Sequence, residues 1–189
     1  RQPLEDGKVT ISRAAGTMTF PSQFMLVAAM NPTPDGKMPA ESRSSPRDIQ
    51  NYLGRISGPL LDRIDLHVEV AAVPFREITS AGNGESSAEI RERVIAARQR
   101  QLHRFKHKPR ISCNARMGSR EIKAFCELDE STLDLLKFAM ADMKLSARAY
   151  DRVLKVARTI ADLADRDKVS ADDVSEAIQY RSLDRQLWT

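Results

Sequence analysis

The chain is poor in cysteine. Only Cys113 and Cys126 occur in 189 residues, with no Cys-x-x-Cys pair and no histidine beside either at ligand spacing. A disulfide framework or a zinc site needs more thiols than that, so a reduced, cytoplasmic setting and no bound metal are expected. Long apolar runs are missing too. No stretch approaches the ~20 residues that a membrane helix needs, so no membrane partner is expected. The start, "RQPLEDG", has neither an initiator methionine nor a signal peptide, and is expected to lie inside a longer protein. The pattern Gly-x-x-x-x-Gly-Lys-Ser/Thr is absent, because Gly7-Lys8 and Gly36-Lys37 each lack a glycine five residues upstream. No run of four apolar residues closes on an Asp-Glu pair. The loop that cradles phosphates and the acid that holds magnesium are therefore missing from this sequence. Neither a Ser/His/Asp nor a Cys/His constellation is present.

What the chain does have is mixed charge and an ordinary apolar fraction. Thirty Lys or Arg face 26 Asp or Glu for a net +4, and 41% of residues are hydrophobic, enough for a real core. The balance is mildly basic, compatible with nucleic acid without being a basic tail. Residues 8–20, "KVTISRAAGTMTF", hold two β-rich runs around Ala14–Gly16, a hairpin signal. "FMLVAAMNP" (Phe24–Pro32) is a continuous apolar run closed by Asn-Pro, which predicts a strand buried on both faces of a parallel sheet. Thr33–Ser45 is a polar loop. Ser45 with Pro46 opens a helix that Gly54 ends. A short helix follows at "SGPLLDRI", and "DLHVEV" (Asp65–Val70) alternates with period two, as a strand does. Thr79–Ser87 is a Gly/Ser linker. Beyond it everything is helical: a basic helix over Ala88–Lys106 opened by Ser86-x-x-Glu89, then Ser119–Cys126, Glu130–Met143, Ser146–Asp165 and a last helix opened by Ser170-x-x-Asp173. Tyr150, Val153, Leu154, Ala157, Ile160, Ala161 and Ala164 form one apolar stripe. The expected architecture is an α/β portion over 1–78, a linker over 79–87 and an all-α unit over 88–189.

Three polar positions stand out, each with two readings left open by spacing alone. Asn31 ends the apolar run, where open α/β sheets bind ligands; it either touches a phosphate or water, or simply turns the chain. Arg63, set between Asp62 and Asp65 in "GPLLDRIDLHVEV", either pairs with Asp62, Asp65 or Glu69, or holds an outside phosphate with its guanidinium fork. Arg148 sits at a helix N-terminus, where an added cation makes an anion site; the alternative is a solvated first-turn residue. His103 and His107 at i, i+4 suit a metal, but their Lys and Arg neighbours favour a solvated basic face. The basic helix either binds nucleic-acid backbone or is plainly exposed.

Together "LEDGKVTISRAAGTMTFPSQFMLVAAMNP", "YLGRISGPLLDRIDLHVEV" and "LSARAYDRVLKVARTIADLA" resemble the Mg-chelatase-like AAA+ ATPases, and among them the ComM family of competence proteins. The resemblance runs from Arg1 to about Leu183. It implies the C-terminal part of an AAA+ P-loop core, a β-hairpin plus parallel strands, followed by a small helical lid domain. It assigns Asn31 to sensor 1, Arg63 to an arginine finger acting in trans, and Arg148 to sensor 2 on the lid. Lys8 and Arg13 of the pre-sensor-1 hairpin become candidates for contacting DNA. The implied ligands are ATP and Mg2+ in the full-length protein, with none tightly bound to this chain alone. The implied partners are further copies in a ring, a hexamer, and DNA. Many relatives carry several cysteines after the residues matching Asn31-Pro32; Thr33–Ser45 has none. The resulting expectation is a ring ATPase that couples hydrolysis to helicase-like DNA remodelling, such as branch migration, in natural transformation. The alternatives are a motor subunit of magnesium chelatase and a non-catalytic helical module that binds DNA or protein.

Overall fold

The computed structural model describes residues 2–14, 16–61, 63–71, 73 and 84–181. The chain divides into two compact units, one ending at Ile64 and the other beginning at Asp65. Each is described by itself. The division precedes the expected linker at 79–87, of which residues 79–83 lie outside the described residues.

The first unit opens with a short helix, α1 (Gln2–Asp6), and a hairpin of β1 (Lys8–Arg13) and β2 (Gly16–Pro21). The strands pair antiparallel, Lys8 opposite Pro21 and Arg13 opposite Gly16. Alternation gives the hairpin two unlike faces. On one, Thr10 and Thr19 hydroxyls meet at 3.0 Å and those of Ser12 and Thr17 at 2.9 Å. On the other lie Val9, Ile11, Met18 and Phe20, and the last three remain well exposed. Gly7, with φ +62°, admits the turn from α1 into β1.

The strand expected at Phe24–Pro32 does not form. The segment makes no ladder, and Phe24, Met25, Leu26, Val27 and Met30 are exposed, Met25 by 85% and Val27 by 80%. The physical reason is that a strand exists only by pairing, and no described segment forms a ladder with this one. Its apolar composition suits a buried strand, but composition supplies no neighbour, and here the segment is exposed. The parallel sheet expected of this part is accordingly not seen; the described residues hold one two-stranded antiparallel sheet.

Two helices complete the unit. In α2 (Pro46–Leu53) the Ser45 hydroxyl accepts the Asp48 N–H at 3.2 Å and donates to Asp48 Oδ2 at 2.7 Å, with proline in the first turn. Gly54 closes it by donating to Gln50 O. One turn, α3 (Gly58–Leu61), follows and buries Leu61.

The second unit is helical: α4 (Ser87–Arg104), a 3-10 turn (Asn114–Arg116), α5 (Ser119–Phe125), α6 (Glu130–Asp142), α7 (Ala147–Leu163) and α8 (Ala171–Gln179). Its starts are chemically explicit. Ser86 and Glu89 form a reciprocal capping box on α4, Ser170 and Asp173 another on α8, and Asp129 and Ser146 cap α6 and α7. Two helices end without the usual glycine. Lys144 (φ +50°) and Asp165 (φ +57°) take the left-handed cap, letting Leu145 N–H reach Met140 O and Arg166 N–H reach Ala161 O. The core gathers Leu136 of α6, Val153, Leu154, Ala157 and Ala161 of α7, and Val174 and Ala177 of α8 around Phe105, Met117, Ile122 and Cys126. Ala164, expected on the stripe, is exposed because α7 has already ended at Leu163.

The other expected strand, Asp65–Val70, also lacks a ladder; Leu66, Val68 and Val70 are exposed. Among the described residues its backbone bond across the unit runs from His67 N–H to Tyr180 O at 2.8 Å, just beyond α8, with the His67 side chain buried. Among the described residues no helix is long and apolar enough to cross a membrane.

Candidate functional site

Asn31 lies in the extended segment before the Thr33–Ser45 loop, and its side chain is open to solvent. Two neighbours touch it, one at the backbone and one at the side chain. The Tyr52 hydroxyl of α2 donates to Asn31 O at 3.2 Å. Gly36, whose φ of +79° favours glycine, lies beside the Asn31 side chain, where an added Cβ would sit at ordinary contact distance, 3.5 Å from Nδ2. The loop itself is organised around Asp35. The Thr33 hydroxyl, fully buried, shares its proton between Asp35 Oδ1 at 2.7 Å and Lys37 O at 2.6 Å. Ser42 Oγ donates to Asp35 Oδ1 at 2.8 Å and the Arg43 N–H to Oδ2 at 3.0 Å. These donors, the Arg43 amide first, hold the Asp35 carboxyl far below the usual carboxylate range.

Arg63 follows α3 and is half-buried, and its guanidinium donates to Pro59 O, a carbonyl at the start of that helix. Of the acids named as alternatives, Asp62 lies outside the described residues, and Asp65 forms an ion pair with Arg152 of α7.

Arg148 is the second residue of α7 and is exposed. Ser146 accepts the Ala149 N–H at 3.2 Å and so caps the helix start. An open groove of about 670 Å³, lined by Lys137, Met140, Ala141, Ala147, Tyr150 and Asp151, adjoins this helix start.

Lys8 and Arg13 are both exposed but occupy opposite ends of β1. Five rises along the strand set them roughly 17 Å apart, so they do not address one phosphate. Arg13 is at the hairpin tip and Lys8 at its base. Asn31 and Arg63 belong to the first unit and Arg148 to the second.

A buried polar network inside the second unit was not anticipated. Asp162 of α7 has a fully buried side chain. Arg104, from the last turn of α4, grips it with two bonds, Nη1 to Oδ2 at 2.7 Å and Nη2 to Oδ1 at 2.5 Å. Asn114 Nδ2 donates to the same carboxylate at 2.8 Å, and Arg158 approaches it at 3.0 Å. Arg158 also donates to Asp167 O at 2.6 Å and Arg166 O at 2.5 Å, satisfying carbonyls beyond the end of α7. Burial alone would raise the Asp162 pKa; Arg104, then Asn114 and Arg158, outweigh it and leave the carboxyl below its ordinary value. Burial moves Arg158 the other way, below the usual guanidinium value. The signal existed: Arg158 and Asp162 are i, i+4 and share the helix face of Leu154, Ala157 and Ala161. A charge pair on a buried face announces partners from another element. Among the described residues no three His, Cys, Asp or Glu side chains cluster as a metal ion would require.

Comparison with known proteins decides the family. The family model described as "Magnesium chelatase, subunit ChlI" matches residues 1–78, and "Magnesium chelatase, subunit ChlI C-terminal" matches residues 84–181. A protein named Competence protein ComM, from Haemophilus influenzae, is 43% identical over 99% of this chain. The chain belongs to the Mg-chelatase-like ComM family. Proteins named YifB from Salmonella typhimurium and Escherichia coli are 42% and 41% identical over the same 99%. The chain spans only 36% of the length of each of these three relatives.

Proposed function

We propose that this chain is the sensor, arginine-finger and lid portion of a longer AAA+ ring ATPase that couples ATP hydrolysis to DNA remodelling, helicase-like branch migration included. The observation that carries the reading is the Phe24–Asn31 segment. It has the length and composition of a doubly buried strand, yet its apolar side chains are uncovered and Asn31 stands at its carboxyl end. Neighbouring strands from the rest of a longer chain would cover it and bring Asn31 to the ligand edge of the sheet. The parallel AAA+ core, the boundary at 79–87 and the ring of subunits belong to this proposal.

The residues fit a triphosphate in part. Asn31 offers an exposed amide that would orient a water, and Arg148 would place a cation in the first turn of a helix, where the macrodipole also favours an anion. The phosphate-cradling loop and the magnesium ligands would come from outside this chain. ATP with Mg2+ supplies a phosphoryl group whose negative charge spreads in the transition state. Arg63 would meet that charge from a neighbouring protomer and Arg148 from the lid, so hydrolysis would depend on assembly and on lid angle. DNA is favoured over a porphyrin as the object of the work because the 43% identical relative is named a competence protein.

The test uses the full-length protein. Arg63→Ala should lower hydrolysis by about 10³-fold or more, by analogy with finger arginines of GTPases, while ATP still binds. Mixing it with a variant lacking the P-loop lysine should restore part of the activity, because some interfaces regain one whole site. Full activity of Arg63→Ala alone, or no rescue on mixing while mixed rings form, refutes a finger acting in trans.

A further inference from the structure

The cations of this chain are unevenly placed. Residues 103–123 carry seven Lys or Arg and a single Glu, an excess larger than the +4 of the whole chain, so the remainder is on balance acidic. The stretch comprises the last turn of α4, the loop through Pro109, the 3-10 turn and most of α5. These pieces are held together: Phe105 and Phe125 meet edge to face at 5.7 Å, and Lys108 Nζ reaches Glu121 Oε1 at 2.6 Å across the seam. Part of the positive charge is used internally, by Arg104 on Asp162 and Lys108 on Glu121. Lys106, Arg110, Arg120 and Lys123 are exposed and make no ion pair or side-chain hydrogen bond among the described residues. They flank the seam, with two on the loop side and two on α5.

The surroundings say what kind of surface fits. Exposed large apolar side chains stop at Leu102 and resume at Leu135. A protein partner would want an apolar or aromatic anchor at the centre of the patch, and there is none. The two phenylalanines at the seam pack inward, Phe105 at 3% exposure, so neither ring is offered for stacking unpaired bases. Dense Lys and Arg, with no exposed large apolar side chain between Leu102 and Leu135, suit a phosphate backbone bound for its charge.

We propose that the rim formed by Lys106, Arg110, Arg120 and Lys123 binds the phosphate backbone of duplex DNA, without reading sequence. It is separate from the hairpin cations Lys8 and Arg13 and lies in the helical unit. The inference rests on the nucleic-acid half of the proposed function and is independent of ATP hydrolysis.

The experiment titrates a labelled duplex of ~20 base pairs with the whole 189-residue chain by fluorescence anisotropy over a range of KCl concentrations. Lys106→Gln/Arg110→Gln/Arg120→Gln/Lys123→Gln should weaken binding roughly tenfold or more at low salt and reduce the log–log salt slope by about 3–4, with an unchanged circular dichroism spectrum. The loss should persist in a Lys8→Ala/Arg13→Ala background. If the quadruple variant does not fold, Arg120→Gln/Lys123→Gln on the outer face of α5 should still reduce the slope by about 2. Wild-type affinity and slope in a folded variant overturn the rim alone. An altered self-association with duplex binding unchanged also overturns it, in favour of a protein contact. Absence of duplex binding by both this chain and the full-length protein removes the nucleic-acid half of the proposed function as well.

Discussion

Replacing Asp162 by alanine should be among the most damaging single changes in the helical unit. The carboxylate is wholly buried and accepts two bonds from Arg104, one from Asn114 and a close approach from Arg158. Removing it strands positive charge in the interior, which generally costs about 3–5 kcal/mol. Two features argue for the lower end. Arg158 retains the carbonyls of Arg166 and Asp167, and the Arg104 side chain is 14% exposed and can recruit water. A loss of about 3 kcal/mol, at 4–8 °C per kcal/mol for a domain of this size, lowers Tm by roughly 12–24 °C. Thermal unfolding followed by circular dichroism reads it directly. The combination Asp162→Leu with Arg104→Met and Arg158→Met, which removes charge and partners together, should be milder than Asp162→Ala. A Tm shift below about 4 °C for Asp162→Ala, or a triple variant less stable than the single one, refutes the assignment of the network as a buried, mutually dependent set.

Lys144→Gly should stabilise the helical unit by about 0.5–1 kcal/mol, because a left-handed cap strains an L-residue by more than glycine loses in chain freedom; an unchanged or lowered Tm counts against that cap geometry. Burial pushes the Cys126 thiol up to about 11, so at pH 8 only about a thousandth is thiolate and alkylation should wait on opening of the core. Mass spectrometry after a timed iodoacetamide pulse checks this, and prompt labelling of Cys126 in the folded protein contradicts it.

Local signals in the sequence carried over to the structure, and non-local ones did not. Ser45, Ser86 and Ser170 announced helix starts because a cap is satisfied within three residues. The α7 stripe carried over for the same reason, since its periodicity needs no knowledge of what covers it. Phe24–Pro32 was misread as a formed strand because pairing depends on a partner that composition does not contain. Arg158 and Asp162 escaped notice for a related reason. Their meaning lies in Arg104 and Asn114, which are 58 and 48 residues away from Asp162 in sequence. For the candidate site, the sequence made Asn31, Arg63 and Arg148 visible as polar residues in unusual places. The Tyr52 contact behind Asn31 and the Asp35 loop beside it needed coordinates.

That loop yields a test with a definite sign. Asp35 is held in its charged form by the Arg43 amide and the hydroxyls of Thr33 and Ser42. Its folded pKa therefore lies below the unfolded value of 3.8, and the order it confers is complete above that value. As pH falls through the folded pKa, protonation weakens the carboxyl as an acceptor for its three donors and the loop should loosen. The Arg43 and Ser42 amide resonances should consequently titrate together, with a midpoint well below 3.8, provided the unit is still folded there. Asp35→Asn should abolish the titration and at neutral pH lower the protection of the Arg43 amide from hydrogen exchange, because the neutral amide replaces one acceptor oxygen by a donor. A midpoint at or above the unfolded value means the carboxylate is solvated, not gripped. In that case Tyr52 would be what holds the backbone of Asn31, and Tyr52→Phe rather than Asp35→Asn would be the change that frees it.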